Sequence, residues 1–301
     1  MEENTSRRIL FVINPKSGTG AKDDFELIIS RVSRQEEFVY EIYKTTGKND
    51  RKAIKKQIKA FQPNLVIPVG GDGTINLVAT ELIGSEVKMG MIPAGSANGL
   101  AFNRGIPLRF EDALYKNLHG FFEPFDVIRV NDSHYCLHLS DVGINARIVK
   151  RFEKEGDKGF LGYGKQLFKE LFSNKTSFGC SIKIQGKNKK TKAEMVVIAN
   201  APSYGTGVQI NPEGLCGDGK FEIVVIKPYP WWFVFTFLYA GFAGKLHKME
   251  YVKVFTATEA EIQFNQLQDL QIDGEVLAPV KQIKLEIIPA ALRVISIDER
   301  N

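Results

Sequence analysis

The stretch VIPVGGDGTINLV, Val66–Val78, is apolar through Val69 and then breaks into Gly70, Gly71, Asp72, Gly73 and Thr74 before helical spacing resumes around Ile75 and Asn76. Glycines let a chain turn tightly and bring bare backbone N–H groups close to a phosphate, because no Cβ stands in the way. A helix opening at Thr74 and Asn76 adds its positive N-terminal end, which favours anionic oxygens. Asp72 does not fit that pattern. A carboxylate beside a phosphate is repelled unless a cation stands between them, so Asp72 points to Mg²⁺ held against a nucleotide, or to a base aimed at an incoming hydroxyl. The spacing is neither GxxxxGKS nor GxGxxG, and Gly, Asp and Thr also make ordinary turns.

Two further glycine-bearing loops give the first one company. NPKSGTG, Asn14–Gly20, follows the first apolar run, and IPAGSANGLA, Ile92–Ala101, follows the fourth. A parallel sheet presents such loops to a ligand from the carboxyl ends of its strands, where helix N-termini point. The three together read as one phosphate cradle. The later carboxylates say less by themselves: Asp218 in LCGDG reads as an Asp-Gly hairpin turn, and Asp273 and Glu275 in IDGE as a strand-ending turn.

The elements that must position these loops follow from periodicity. RILFVINP, FVYEIYKTT, NLVIPVG and KMGMIPAG read as strands, alternating with helical KDDFELIISRVSRQ, DRKAIKKQIKAF and the segment from Ile75. That alternation predicts a mostly parallel sheet with helices on both faces. Past Phe125 the texture changes to short β-branched and aromatic runs broken by turn residues, among them SHYCLHLSDVG, SFGCSIKIQG, KAEMVVIANA and QIKLEIIPAALRVISI. A β-sandwich or barrel is expected there, carrying helices at YGKQLFKELFS and at WWFVFTFLYAG.

Composition narrows the classes. A chain of 301 residues has room for two ordinary domains, and 44% apolar with 25% charged residues fits a folded protein rather than a disordered or fibrous one. The start, MEENTSRRILFVINP, lacks a basic lead and a long apolar core, so a cytoplasmic location is expected. Cys136, Cys180 and Cys216 lie far apart, supporting neither a disulfide framework nor a cysteine zinc site. His134 and His138 alternate along a strand-like run, for which a surface or core place is the plainer account than a metal. The net charge is +5, and the basic excess lies between Lys150 and Lys192, ending in KNKKTK. A solvated helix face and hairpin tip would explain it; an anionic membrane would attract it by about 1 kcal/mol per Lys or Arg. No aromatic and basic interleaving suggests nucleic acid. From Pro228 to Gly244 the chain carries no charge, and Lys245, His247 and Lys248 follow. That run is shorter than the roughly 20 residues that span a bilayer. It reads either as a helix buried on a sheet or as one whose Trp231 and Trp232 enter a lipid interface.

NPKSG, GGDGT and PAGSAN in that order, then NAPSYGTGVQINPEGLCGDGKFEIVVIKP (Asn200–Pro228) and DGE (Asp273–Glu275), closely resemble lipid kinases of the diacylglycerol kinase and sphingosine kinase family. The resemblance covers almost the whole chain. It implies an α/β nucleotide-binding domain over 1–125, joined by a returning strand at 289–301, and a β-rich sandwich domain for lipid over 126–288. It implies ATP held by Asn14, Pro15, Lys16, Ser17 and Gly18, by Thr45 in TTGKND, by Gly70, Gly71, Asp72, Gly73, Thr74, Ile75 and Asn76, and by Ser96. A structural Mg²⁺ is implied at Asp218, with main-chain carbonyls of Leu215 and Lys220. Transfer of the γ-phosphoryl group needs in-line positioning, Mg²⁺ and a carboxylate that takes the acceptor proton. The resemblance offers Asp72 together with Glu275 or Asp273 for those roles.

Two positions depart from the bacterial diacylglycerol kinase pattern. GSANGLA has Gly99, and GINA has Asn145, where many members carry aspartate. Both changes remove a carboxylate near the expected acceptor site, so they bear on the acceptor lipid and not on the phosphoryl transfer. A diacylglycerol-like acceptor at the inner face of a membrane, reached by peripheral association, is the leading expectation, with a sphingoid base or ceramide next. NAD kinase shares GGDG; a catalytically silent nucleotide-binding or lipid-binding module has no need of Asp72, Asp218 and Glu275 together. A homodimer is compatible with the sequence.

Overall fold

The computed structural model describes residues 7–17, 23–143, 177–203, 208–211, 214–230 and 232–296. The expected helix at YGKQLFKELFS, the part of the basic run from Lys150 to residue 176, Asn145, Gly18 and Trp231 lie outside these residues. The chain divides into one unit of Met1–Phe125 with Ala291–Asn301 and another of Asp126–Ala290.

In the first unit, β1 (Arg7–Ile13), α1 (Asp23–Gln35), β2 (Phe38–Lys44), α2 (Asp50–Phe61), β3 (Leu65–Gly70), α3 (Asp72–Leu82), β4 (Lys88–Met89), β5 (Ile92–Pro93), α4 (Gly99–Asn103) and α5 (Phe110–His119) follow one another. All six residues of β3 and the last five of β1 are buried, as expected of parallel strands covered on both faces. The strands run in the order β2-β1-β3-β4, every pair parallel, and Arg293 and Val294 of the chain's last strand pair with β4. From β1 the chain goes to β2 on one side and returns to β3 on the other. The carboxyl ends of β1 and β3 therefore form a topological switch point.

KMGMIPAG reads as one strand but folds as two, β4 and β5, and the cause lies in its neighbours. Pro68 of β3 has no N–H to offer this stretch. Asn117 of α5, 1% exposed, takes over: its Oδ1 accepts Met91 N–H at 2.8 Å and its Nδ2 donates to Met91 O at 2.8 Å and Ala113 O at 2.6 Å. A Cβ at Gly90 would lie 2.0 Å from that Oδ1. Arg104, also buried, donates from Nε to Ile295 O at 2.9 Å and pairs with Glu123, fastening the last strand to this unit.

The second unit holds β7 (His134–Cys136), β8 (Leu139–Gly143), β9 (Phe178–Ile184), β10 (Lys187–Ala193), β11 (Met195–Ala199), β12 (Phe221–Ile226), α6 (Phe233–Phe242), β13 (Val252–Ala257) and β14 (Glu259–Ile272). Two longer strands, β6 (Phe122–Val130) and β15 (Glu275–Ile295), carry the chain across the boundary. The order is β13-β12-β11-β8-β14-β15, with β9 also on β14, β10 on β9, and β6 on β15 and β7. The pairs β13–β12, β12–β11, β11–β8, β8–β14, β14–β15, β9–β14, β10–β9 and β6–β7 are all antiparallel. Alternation along β11 splits its side chains between two cores: Val196 and Ile198 join Phe178, Phe221 and Ile262, whereas Met195, Val197 and Ala199 join Phe233 and Ala240 of α6. A strand buried on both faces needs cover on both, which is why a charge-free helix follows β12. KNKKTK, read as a hairpin tip, is instead most of β10; the tip is Gln185–Gly186, both at positive φ. Lysines along an edge strand also discourage pairing with other chains.

The first domain is thus an α/β fold around a parallel sheet, and the second a β-sandwich to which, among the described residues, α6 is added.

Candidate active site

At the carboxyl edge of the parallel sheet the three glycine-bearing loops meet. Asn14 follows β1, donating its backbone N–H to Val69 O of β3 at 2.9 Å and Nδ2 to Thr74 Oγ1 at 3.3 Å. Its Oδ1 accepts Lys16 N–H at 2.9 Å and its carbonyl accepts the Ser17 hydroxyl at 2.9 Å, which bends Pro15 and Lys16 outward as an exposed turn. Thr45 begins the neighbouring loop and donates its N–H to Ile13 O at 2.9 Å.

Behind that loop Asp50 organises the chain. It accepts N–H groups of Thr46 at 2.9 Å and Gly47 at 2.7 Å and the Tyr43 hydroxyl at 2.7 Å. Burial opposes its ionisation, but these hydrogen bonds outweigh burial and hold its pKa below the ordinary carboxylate value.

Gly70, Gly71 and Gly95 are demanded by close approach. A Cβ on Gly70 would stand 2.4 Å from Thr74 Oγ1, and one on Gly95 would stand 2.4 Å from the Gly71 Cα. The loops of GGDGT and PAGSAN are therefore packed backbone to backbone. Asn98, in the left-handed region at φ 51, closes the second loop on itself: Oδ1 accepts Gly95 N–H and Nδ2 donates to Gly95 O, both at 2.8 Å. Ser96, at the crest of this loop, is exposed.

Asp72, the odd member of GGDGT, has a definite partner. Its Oδ2 accepts Gly99 N–H at 2.9 Å and its Oδ1 accepts Leu100 N–H at 3.1 Å, so it caps α4 from another element. Gly71 provides α3 with no side-chain cap, leaving the first N–H groups of that helix, at Asp72 and Gly73, without an intrahelical acceptor. Ile75 is buried in α3, and Asn76 accepts the Thr80 hydroxyl through its carbonyl at 2.9 Å.

The remaining candidates belong to the second unit. Asp273 and Gly274 form the two-residue turn between β14 and β15, with Ile272 paired to Glu275 and φ values of 48° and 87°. The Asp273 carboxylate is turned inward and 6% exposed; it accepts N–H groups of Leu137 at 2.8 Å, His138 at 2.9 Å and Leu139 at 3.2 Å. SHYCLHLSDVG reads as one strand, and this clamp explains why it divides into β7 and β8. Gln271, absent from the sequence reading, fixes the same turn: its Oε1 accepts Gly274 N–H at 2.7 Å and its Nε2 donates to Asp141 Oδ2. Glu275 opens β15 with its side chain exposed. His138, buried, meets Ser203 O through Nε2 at 2.7 Å.

Asp218 lies in the loop before β12, where its Oδ1 accepts Lys220 N–H at 3.0 Å and Leu215 is exposed. Buried Asp126 holds this loop: its Oδ2 accepts Gly219 N–H at 2.6 Å, its Oδ1 accepts Ala290 N–H at 2.7 Å, and its own N–H donates to Cys216 O. Nearby Glu222 has its pKa raised, mainly by burial and also by the negative charge of Asp218, despite a 2.6 Å hydrogen bond from Asn211. Among the described residues no three His, Cys, Asp or Glu side chains are grouped to hold a metal. A cation at this loop would depend on carbonyl oxygens beside Asp218, a donor set of hard oxygens suited to Mg²⁺.

Residues 8–130 match the family model for the diacylglycerol kinase catalytic domain, and residues 140–296 that for the YegS C-terminal NAD kinase beta sandwich-like domain. The chain is 32% identical to a "Probable lipid kinase YegS-like" of Klebsiella pneumoniae (strain 342), covering 78% of this chain and 79% of the relative. It is 28% identical to a protein of the same description from Pectobacterium atrosepticum, covering 94% of each. A crystal structure of a diacylglycerol kinase from Bacillus anthracis str. Sterne superposes with a TM-score of 0.77 over 98% of both chains at 20% identity, a likeness of fold. The chain belongs to the YegS-like lipid kinase family, in which a diacylglycerol kinase catalytic domain precedes a YegS-type β-sandwich domain.

Proposed function

We propose that the protein transfers the γ-phosphoryl group of ATP to a lipid hydroxyl, with a diacylglycerol-like acceptor, in the presence of Mg²⁺. The observation that carries this reading is the backbone contact of GGDGT with PAGSAN at the switch point between β1 and β3, beside the Asn14–Ser17 turn. Phosphates fit where backbone N–H groups and a helix N-terminus converge.

Asn14, Pro15, Lys16, Ser17 and Gly18, with Thr45, Ser96 and the segment Gly70–Asn76, would hold the nucleotide. Asp72 keeps α4 and its loop in place while one lone pair on each oxygen remains for a cation. Mg²⁺, when bound, neutralises phosphoryl charge. Asp218 with the carbonyls of Leu215 and Lys220 would hold a second, structural Mg²⁺. Asp273 is already engaged by three backbone N–H groups, so it serves as the positioning residue of the turn. Glu275, exposed next to it, is assigned as the base that accepts the proton of the acceptor hydroxyl. A sphingoid base or ceramide is the second acceptor class, favoured by Gly99 and Asn145 in place of two carboxylates.

The test is incubation with radiolabelled ATP, Mg²⁺ and a panel of diacylglycerols, sphingoid bases, ceramides and NAD, followed by separation of products. Labelled diacylglycerol phosphate is expected. Labelled NAD product, or no labelled lipid across the panel, would overturn the reading.

A further inference from the structure

The helix α6 presents two unlike faces. Phe233 and Ala240 are buried against Tyr229, Leu246 and Val252, and the ring centroid of Phe233 lies 4.7 Å from that of Tyr251. Gly241 sits so close to the chain that a Cβ there would be 2.8 Å from Val208 Cγ1. On the other side Trp232 is 56% exposed, Tyr239 72% and Phe242 62%. With 3.6 residues per turn these three positions fall within an arc of about 80°. Scattered exposed aromatics need no explanation, but three on one face of a charge-free helix do.

Charge tells what covers this face. From Lys227 to Lys253 the sequence has four lysines against one glutamate, Glu250. Lys245 and Lys248 are exposed directly after α6, and Lys245 N–H donates to Ala240 O at 2.8 Å, folding the basic turn against the helix end. Lys253 is exposed on β13. A second copy of this chain in a two-fold contact would bring the same lysines against one another. An anionic bilayer would attract them and take the aromatic side chains into its headgroup boundary, where tryptophan and tyrosine are favoured. No helix among the described residues is long and apolar enough to cross a membrane. At ten residues α6 is about 15 Å long, which suits lying in the interface.

We infer that the outer face of α6, with Trp232, Tyr239 and Phe242 as inserted side chains and Lys245, Lys248 and Lys253 as the cationic rim, docks the protein on an anionic phospholipid surface. The inference rests on the lipid-kinase reading, since the acceptor would lie in that surface.

Purified full-length protein is sedimented with phosphatidylcholine vesicles with and without phosphatidylglycerol, and assayed in parallel on a short-chain acceptor dispersed as monomers. Wild type should bind the anionic vesicles and be released by salt. Tyr239→Ser with Phe242→Ser should lower the partition coefficient roughly tenfold, and each of Lys245→Gln and Lys248→Gln about fivefold, while circular dichroism and monomer turnover stay unchanged. Absence of wild-type vesicle binding, or binding by the serine variant equal to wild type, overturns the inference. A wild-type dimer that the serine variant converts to monomer, without vesicle binding, overturns it in favour of a second copy. If vesicle binding follows the expectation but no lipid is phosphorylated, the docking face stands and the kinase reading falls.

Discussion

Asp273 and Glu275 are two residues apart and face opposite demands. Asp273 spends its carboxylate on three buried backbone N–H groups, whereas Glu275 is exposed. Replacing Asp273 with Asn removes the charge from those bonds and turns an N–H₂ toward N–H donors. A loss of about 1.5–3 kcal/mol in unfolding free energy is expected, read from urea midpoints. Glu275→Gln should leave the midpoint unmoved and lower kcat by at least about a hundredfold, as loss of a general base does. The same environment silences a thiol. Burial, and then the charge of Asp273, push the Cys136 thiol well up, and burial raises Cys180 to about 11. Cys216 is only partly buried. Folded protein at mildly alkaline pH should therefore release one equivalent of thiol quickly to a chromogenic disulfide, at Cys216, and two more only with denaturant. From the sequence alone Asp273 and Glu275 are interchangeable carboxylates in a turn. What separates them is the loop Leu137–Leu139, more than 130 residues away in the chain.

Elements carry the next distinctions. The glycine-bearing loops are legible as types because glycine, aspartate and threonine have local meaning after a strand. Their mutual contact is not, because nothing in PAGSAN announces that Gly95 must lie against Gly71. A Cβ at Gly95 would meet backbone 2.4 Å away, which cannot swing aside as a side chain does. Gly95→Ala should force the two loops apart, raise the KM for ATP by roughly tenfold or more, and cost about 1–3 kcal/mol as overpacking does; steady-state kinetics and thermal melts check it. Asp72 has the same history, since its partners on α4 lie in another element. Asp50 adds a pH dependence. Its folded pKa is below the ordinary value, so its stabilising contribution is present above the unfolded pKa and is lost as pH falls through the folded one. Asp50→Asn should therefore be less stable than wild type near neutrality, by about 1–3 kcal/mol, with the difference shrinking as the medium is acidified toward pH 3.

At the scale of the whole chain, one domain is assembled from both ends of the sequence. Two parts of that arrangement are legible in advance: the change from helix-strand alternation to short antiparallel runs near Phe125, and the apolar pattern ALRVISI at the far end. The partner of that last run is not, because β4 beside it is only two residues long and leaves hardly any pattern. Yet Leu292, Val294 and Ile295 are each no more than 1% exposed, and Ile295 O is the acceptor of buried Arg104. Removing Ala291–Asn301 deletes those three apolar side chains at about 2–5 kcal/mol apiece and leaves the buried Nε–H of Arg104 without its acceptor. That loss is of the order of the whole stability of a domain, about 5–15 kcal/mol. The second unit keeps its own residues, Asp126–Ala290, in such a truncation. A chain ending at Ala290 is therefore expected to lose ATP-analogue binding in calorimetry and to be cut by protease first within residues 7–125, with a fragment of the second unit persisting. Retained nucleotide binding, or uniform digestion of both units, would show that the last strand is dispensable to the first unit.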